Sequence, residues 1–321
     1  MIKFICGHAD LELGKNIAAE LGIPLGDVEI SHFQDSEIRI KINEVTRSCD
    51  YFVLQSTCVS PGRSINDNIM ELYLLVRTLK RNCARRVVAI IPYYGYGRQD
   101  RQDTLRVPIS AADLALLYES AGTDQIISID LHCGQIQGFF QKIPVENLPS
   151  TGVFVPYIAS KMLHHPIVIS PDAGGVSRAN TFRENLLAEH HIETEMAVVI
   201  KQRASPGKIS SMKLVGAVKD SDVIIVDDIC DTGGTLIQAA KKLKESGAKR
   251  VFACVTHAIF SGRALEEIAG SSIDELVITD TIPLRGNLPA NVRCLSIAPL
   301  ISEAVLRLYH EKTPKTHLLQ N

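Results

Sequence analysis

The chain has 321 residues, of which 45% are hydrophobic, enough to fill the cores of two domains of ordinary size. Its formal net charge of -2 excludes a general affinity for nucleic acid as its main role, and no block of like charge indicates a tail. The longest apolar stretches, such as residues 87–91, are too short to span a membrane, and residues 1–10 lack a signal-peptide pattern. We therefore expect a globular protein of the cytoplasm.

Apolar, β-branched runs alternate with helix-like segments along the whole chain. Such alternation predicts an α/β fold of mainly parallel sheets flanked by helices, with ligands bound beyond the carboxyl ends of the strands. The Pro-containing polar segment 144–152 is the best boundary, and it divides the chain into an N-terminal domain 1–148 and a C-terminal domain 149–321. Strands are predicted at 3–6, 51–55, 86–91, 125–130, 166–170, 196–200, 223–226, 251–255 and 276–279, and helices at 66–79, 109–120, 177–189 and 234–246.

The segment VIIVDDICDTGGTLIQAAKKL (223–243) combines a buried strand, an acidic pair, a Gly-rich turn and a helix. Because the turn is a helix N-terminus, Thr232, Gly233, Gly234 and Thr235 can direct backbone N–H groups and two hydroxyls at one anion. The carboxylates that precede the turn repel phosphate but can accept hydrogen bonds from sugar hydroxyls. The segment therefore predicts a sugar-phosphate site, whereas Gly-Gly alone is more often a tight turn.

The eight cysteines are scattered, with no CxxC pair, and several lie inside apolar runs. This distribution predicts reduced, buried thiols. Cys133 and Cys230 lie within motifs, but neither has a base placed nearby in sequence that would make it a nucleophile.

The string VDDICDTGGT is similar to the ribose-5-phosphate motif shared by phosphoribosyltransferases and ribose-phosphate pyrophosphokinases. The resemblance assigns Asp227, Asp228 and Asp231, with the four residues of the turn, to ribose 5-phosphate. Both enzyme classes remain open on this string alone.

Seven further strings, in order along the chain, resemble the ribose-phosphate pyrophosphokinase family. A phosphoribosyltransferase would have no reason to carry the strings that the family uses to bind the nucleotide. The resemblance implies two similar phosphoribosyltransferase-like domains and the transfer of the β,γ-diphosphoryl group of ATP to the C1 hydroxyl of ribose 5-phosphate, which gives phosphoribosyl pyrophosphate and AMP. The strings are FQDSEIRIKINEVTR (33–47), NDNIMEL (66–72), PYYGYGRQDR (92–101), VPISA (107–111), DLHCGQIQGFF (130–140), SPDAGG (170–175) and THAIFSG (256–262).

The resemblance also implies an Mg²⁺ cofactor, for which His132 and Asp172 are the matching ligands. Mg²⁺ suits such a sparse protein set, since it retains waters and phosphate oxygens. On the nucleotide side, Arg98, Gln99 and Arg101 offer donors for phosphates, and Asp103 matches an acidic residue beside adenine. The remaining adenine-pocket matches are Phe33, Asp35 and Glu37.

In the family, a neighbouring subunit contributes that adenine pocket, so the resemblance implies a homo-oligomer, a hexamer in the common class. Without the resemblance, Phe33 reads as a core residue. Lys201 and Arg203, in VVIKQRASPGKIS, match the cations that act on the transition state, ahead of a Ser/Pro/Gly stretch expected to be a mobile catalytic loop.

Three segments depart from the family pattern. The loop CVSPGRSI before NDN is about four residues longer, residues 204–209 carry less charge, and the tail HEKTPKTHLLQN lacks the usual Ser-and-Phe ending. These departures leave regulation by phosphate and ADP open. Two alternatives also remain: a phosphoribosyltransferase, which would ignore ATP, and a non-catalytic regulatory paralogue, against which the presence of His132, Asp172, Lys201 and Arg203 argues.

Overall fold

A computed structural model describes the backbone of residues 1–205 and 208–310, and the side chains in these ranges except at 201–211 and 310. The chain forms two compact units. Among the described residues, the first comprises 1–149, 281–283 and 296–310, and the second comprises 150–280 and 284–295. The division between residues 148 and 149 stays a prediction of the domain organisation.

The first unit is built on a five-stranded parallel sheet in the order β1-β4-β5-β6-β7. Strands β4 and β6 are buried along their whole length, which explains their near-continuous apolar sequences. An antiparallel pair, β2 and β3, stands apart from this sheet. The strands are β1 (Ile2–Cys6), β2 (Val28–His32), β3 (Ile38–Ile42), β4 (Asp50–Leu54), β5 (Arg86–Ile91), β6 (Gln125–Ile129) and β7 (Val145–Leu148).

The α-helices that the structure describes in the first unit are α1 (Leu11–Leu21), α2 (Ile65–Arg81), α3 (Ser110–Ala121) and α8 (Ala298–His310). A capping box begins α2, in which Ser64 Oγ accepts from the Asp67 N–H and Asp67 Oδ2 accepts from the Ser64 N–H at 2.7 Å. Helix α8, from the end of the sequence, packs against α1. A 3₁₀ turn, Gly134–Phe139, follows β6.

The second unit contains a seven-stranded sheet in the order β10-β9-β8-β11-β12-β13-β14, parallel except for the β9–β10 pair. Together the two sheets confirm the predicted α/β fold of mainly parallel sheets flanked by helices. The elements are α4 (Thr151–Ala159), β8 (Ile167–Ser170), α5 (Val176–His190), β9 (Glu195–Ser205), β10 (Lys208–Val215), β11 (Asp222–Cys230), α6 (Gly234–Glu245), β12 (Arg250–Ala258), α7 (Ala264–Ala269), β13 (Glu275–Thr279) and β14 (Val292–Leu295).

The structure corrects three local expectations. Residues 145–148, for which no strand was predicted, form β7, which extends the first sheet beside β6. Strand β11 continues past Val226 to Cys230, because β12 pairs with it as far as Ala258, so the acidic pair lies within the strand rather than after it. Likewise β9 continues past Ile200 to Ser205 by pairing with β10. In each case a neighbouring strand supplies hydrogen bonds that the local sequence does not reveal.

The longer loop before α2 is anchored by buried polar contacts. Arg63 Nη1 lies 2.6 Å from Oε2 of Glu71, whose side chain is fully buried. The same carboxylate accepts from the His8 N–H at 2.7 Å and from Gln55 Nε2 at 3.0 Å. Asn68 Nδ2 donates to the Cys58 carbonyl oxygen at 2.7 Å. The departure from the family pattern is therefore a structured loop.

Candidate active site

The Gly-rich turn of the second unit joins β11 to the N-terminus of α6. Gly233 precedes the helix with φ = 77°, a left-handed conformation in which a side chain would be strained. The Gly233 carbonyl oxygen accepts from the Ile237 N–H at 2.9 Å, which closes the first helical turn. Gly234 and Thr235 then form the positive end of the helix. The turn therefore offers backbone donors and a favourable potential for an anion.

The acidic pair precedes that turn on β11. The Asp228 side chain is 6% exposed and that of Asp227 is 20% exposed. Burial and the neighbouring Asp228 carboxylate raise the pKa of Asp227 to about 7, against the lowering effect of Arg178. The Asp228 N–H donates to Asp227 Oδ1 at 2.9 Å. Two carboxylates therefore stand side by side within a few residues of the anion-binding turn.

A second segment supports the start of this loop. The N–H groups of Ile259 and Phe260 donate to the Cys230 carbonyl oxygen at 2.9 and 3.2 Å, and the Ser261 N–H donates to the Asp231 carbonyl oxygen at 3.0 Å. These residues belong to the string THAIFSG, for which no separate role was predicted. In the structure, the backbone of this string holds the start of the Gly-rich loop in position.

Asp172 lies between β8 and α5 in the same unit. Its Oδ1 accepts from the Gly175 N–H at 3.1 Å, and its carbonyl oxygen accepts from Ser170 Oγ at 2.6 Å. A Cβ at Gly175 would lie 2.9 Å from Ser170 Oγ, so a side chain there would displace this hydroxyl from its hydrogen bond to Asp172. The carboxylate is therefore held at the N-terminus of α5, the helix that also carries Arg178.

In the first unit, the predicted adenine residues occupy the tip of the β2–β3 hairpin. The Phe33 N–H donates to the Glu37 carbonyl oxygen at 2.9 Å, and the Glu37 N–H donates to Asp35 Oδ1 at 3.2 Å. The Phe33 side chain is 51% exposed, which corrects its reading as a core residue. The Arg39 guanidinium lies 6.0 Å from the ring centroid. The hairpin turn is therefore held by its own hydrogen bonds and leaves the ring of Phe33 half exposed.

The other nucleotide-side residues follow β5 and β6. Gln99 is tied to the start of α3, since its Oε1 accepts from Ser110 Oγ at 2.5 Å and its carbonyl oxygen accepts from the Ala111 N–H at 3.1 Å. Arg98, Arg101, Asp103 and His132 have exposed side chains on this unit. The loop after β5 therefore has a fixed backbone and exposed charged groups.

The backbone of Lys201 and Arg203 belongs to β9, where these residues pair with Met212 and Ile209 of β10. Their side chains, and residues 206 and 207 of the expected catalytic loop, lie outside the part of the chain that the structure describes. The tail from residue 311 lies outside it as well. Their assigned roles stay predictions.

The two cysteines inside motifs are poor nucleophiles. Burial and the nearby Asp100 raise the pKa of Cys133 to about 11, and burial with the Asp227 carboxylate raises the pKa of Cys230 to about 12. Both thiols are protonated at neutral pH, and the reactive form is the thiolate. The site chemistry therefore depends on carboxylates, donors and cations.

The fold and the Gly-rich turn define an α/β protein with a loop of the sugar-phosphate type. Comparison with known proteins then identifies its family. The sequence model of the N-terminal domain of ribose phosphate pyrophosphokinase matches residues 2–122, and that of the phosphoribosyl synthetase-associated domain matches residues 184–318. Ribose-phosphate pyrophosphokinases of Campylobacter jejuni and Haemophilus influenzae are each 45% identical over 311 and 316 residues, covering 97% of this chain and 97% of theirs.

The crystal structure of phosphoribosylpyrophosphate synthetase from Mycobacterium smegmatis matches with a TM-score of 0.87 and 34% sequence identity, over 97% of this chain and 99% of that one. The chain therefore belongs to the ribose-phosphate pyrophosphokinase family, which confirms the resemblance seen in its motifs. Among the helices in the described ranges, none is long and apolar enough to cross a membrane.

Proposed function

We propose that this protein is a ribose-phosphate pyrophosphokinase, which transfers the β,γ-diphosphoryl group of ATP to the C1 hydroxyl of ribose 5-phosphate and releases AMP. The observation that carries the proposal is the join of β11 to α6. There, paired carboxylates on the strand are followed within a few residues by a left-handed glycine and a helix N-terminus. A sugar phosphate suits both parts, and the family match covers nearly the whole chain.

Ribose 5-phosphate is assigned to this join. The N–H groups and hydroxyls of residues 232–235 would bind its phosphate, while Asp227 and Asp228 accept hydrogen bonds from ring hydroxyls. We expect Asp228→Ala to raise the Michaelis constant for ribose 5-phosphate and to leave that for ATP little changed. The loss of one hydrogen bond to a charged group costs about 1.5–3 kcal/mol. If ATP binding were lost and sugar binding kept, the placement of the two substrates would be wrong.

The donor chemistry of the chain fits an Mg²⁺ ion bound mainly through substrate. In the described part of the chain, no group of three or more His, Cys, Asp or Glu side chains could hold a metal by itself. Mg²⁺ prefers oxygen ligands and keeps waters and phosphate oxygens, so the Asp172 carboxylate suits it. His132 is proposed as a further ligand. When bound, the ion would neutralise the triphosphate charge.

ATP is assigned to residues of the first unit. The exposed ring of Phe33 can stack on adenine, and Asp35 and Glu37 offer acceptors to its amine. Arg98, Gln99, Arg101 and Asp103 are proposed as further nucleotide contacts. Because half of the Phe33 side chain is exposed, a neighbouring subunit could use it, as expected for a cytoplasmic homo-oligomer that is a hexamer by family resemblance.

Lys201 and Arg203 are proposed as the cations that stabilise charge on the transferring group. Both lie on β9, and β8 separates that strand from β11 in the sheet. The reaction breaks the bond between the α-phosphate bridging oxygen and the β-phosphorus, and forms a bond from the C1 oxygen to that phosphorus. Positioned donors accelerate such a transfer when they bind the transition state more tightly than the substrates.

One assay tests the proposal against the two alternatives. Purified protein is incubated with ATP and Mg²⁺, with and without ribose 5-phosphate, and AMP is measured. A pyrophosphokinase forms AMP only with the sugar phosphate, in equal amount to phosphoribosyl pyrophosphate. A phosphoribosyltransferase would instead consume phosphoribosyl pyrophosphate with a nucleobase, and a regulatory paralogue would form neither product.

A further inference from the structure

Arg178 bridges from α5 to both carboxylates of the acidic pair. Its Nη1 lies 3.0 Å from Asp228 Oδ1 and 3.8 Å from Asp227 Oδ1. The Arg178 side chain is 20% exposed, so the contact is largely shielded from solvent. An ion pair in such surroundings is screened less than one at the surface.

The location of this arginine on its helix is unusual. Arg178 is the third residue of α5, and a positive charge in the first helical turn is unfavourable because it faces the positive end of the helix dipole. The helix has no acidic residue in that turn to offset the charge. The acidic pair on β11 supplies the compensating negative charge, so the placement is explained by the strand and not by the helix.

We propose that Arg178 is a positioning residue for the proposed ribose site, which holds the Asp228 carboxylate in place as an acceptor for ribose hydroxyls. This inference rests on the proposed function. Asp228 Oδ1 lies 3.0 Å from Arg178 Nη1, which restricts the orientation of this carboxylate. Without this cation, the adjacent carboxylates would repel one another, which would displace Asp228 from this orientation.

The surrounding hydrogen bonds fix both ends of this bridge. The Asp228 N–H donates to Asp227 Oδ1, which ties the Asp227 carboxylate to the backbone of β11. At the other end, Asp172 accepts from the Gly175 N–H immediately before α5, which fixes the start of the helix. Arg178 therefore connects two fixed elements through one short contact.

The test compares Arg178→Met, Arg178→Lys and a control, Arg183→Met. Arg183 lies on the same helix and donates to Asn180 Oδ1 from Nε at 3.2 Å and from Nη2 at 2.9 Å, away from the acidic pair. Thermal unfolding and circular dichroism first establish that each variant is folded. Kinetics are then measured with ribose 5-phosphate and with its 2-deoxy and 3-deoxy analogues.

Arg178→Met is expected to raise the Michaelis constant for ribose 5-phosphate about tenfold, because a hydrogen bond to a charged group is weakened, and to leave that for ATP unchanged. For an analogue that lacks the hydroxyl bound by Asp228, the same variant should change the constant less than about threefold, since the interaction is already missing. Arg178→Lys should recover part of the loss, and Arg183→Met should resemble the unchanged protein.

Other outcomes would overturn the inference. Equal losses with ribose 5-phosphate and with both deoxy analogues would mean that Arg178 acts on the phosphate or on the fold. A fall in turnover with no change in the Michaelis constant would place its action in the chemical step. If the unchanged protein formed no AMP, the proposed function itself would be wrong, whereas an active protein with an unaffected Arg178→Met variant would contradict this inference alone.

Discussion

The buried carboxylate of Asp227 should make the protein less stable as the pH rises from about 4 to about 7. Burial and the Asp228 carboxylate raise its pKa from 3.8 to about 7 in the folded chain. Between these values the folded state keeps a proton that the unfolded chain releases, so this contribution to stability is fully present below 3.8 and is lost as the pH passes about 7. A difference of about three pKa units corresponds to about 4 kcal/mol.

The substitution Asp227→Asn removes this titration and keeps the local geometry. The Asn side chain has nearly the same shape, and its Oδ1 can still accept from the Asp228 N–H, which lies at 2.9 Å from the present Oδ1. The free energy of unfolding of the variant, minus that of the unchanged protein, should increase by about 3 kcal/mol from pH 5 to pH 8. About two of the three pKa units of the shift lie in this range. The measurement is urea unfolding followed by circular dichroism, at fixed protein concentration and without ligands.

Asp222, at the start of the same strand, provides a control of opposite sign. Burial raises its pKa, but hydrogen bonds from Arg250 and from the His164 backbone outweigh burial and lower the pKa overall. Its stabilising contribution is therefore fully present above the unfolded pKa of 3.8 and is lost only in stronger acid, so Asp222→Asn should weaken the protein equally at pH 5 and pH 8, and less at about pH 3. Equal effects of Asp227→Asn at pH 5 and pH 8 would refute the raised pKa.

Three further predictions concern turnover, the shared pocket and the fold. Lys201→Ala and Arg203→Ala should each lower turnover by about 10²-fold or more with a smaller effect on ribose 5-phosphate binding, as measured by steady-state kinetics and calorimetry, and unchanged turnover in both would contradict the assignment. Phe33→Ala should raise the Michaelis constant for ATP, since stacking contributes on the order of 1–3 kcal/mol. If subunits share the pocket, a mixture of Phe33→Ala chains and Lys201→Ala chains should recover activity. No recovery despite subunit exchange would exclude sharing. Arg63→Ala should lower the free energy of unfolding by about 1.5–3 kcal/mol, because the buried Glu71 carboxylate loses one charge-assisted hydrogen bond and keeps those from His8 and Gln55, whereas Lys15→Ala, in an exposed ion pair, should change it by less than about 1 kcal/mol.

The sequence was sufficient for the elements whose signals are local. Each of the nine predicted strands has a counterpart in the structure, because strands buried on both faces have near-continuous apolar sequences that stand out between polar helices. The helix after the Gly-rich turn begins at the predicted Gly234. Motif strings also sufficed for the family, since a binding loop requires particular residues at fixed spacing.

The tertiary structure was needed wherever a distant partner determines the outcome. The ends of β9 and β11 depend on the strands beside them, and β7 becomes a strand because β6 offers it a free edge. The exposure of Phe33 follows from the hairpin that carries it away from the core.

Arg178 shows the same division at the level of one side chain. In the sequence, it is separated from Asp228 by 49 intervening residues and appears as an ordinary cation on a polar helix. The only local signal is its unfavourable place in the first turn of α5. The sequence by itself determined the class of loop that binds the sugar phosphate, because those residues are contiguous, whereas the partner of its acidic pair depends on how α5 packs beside β11, which only the folded chain decides.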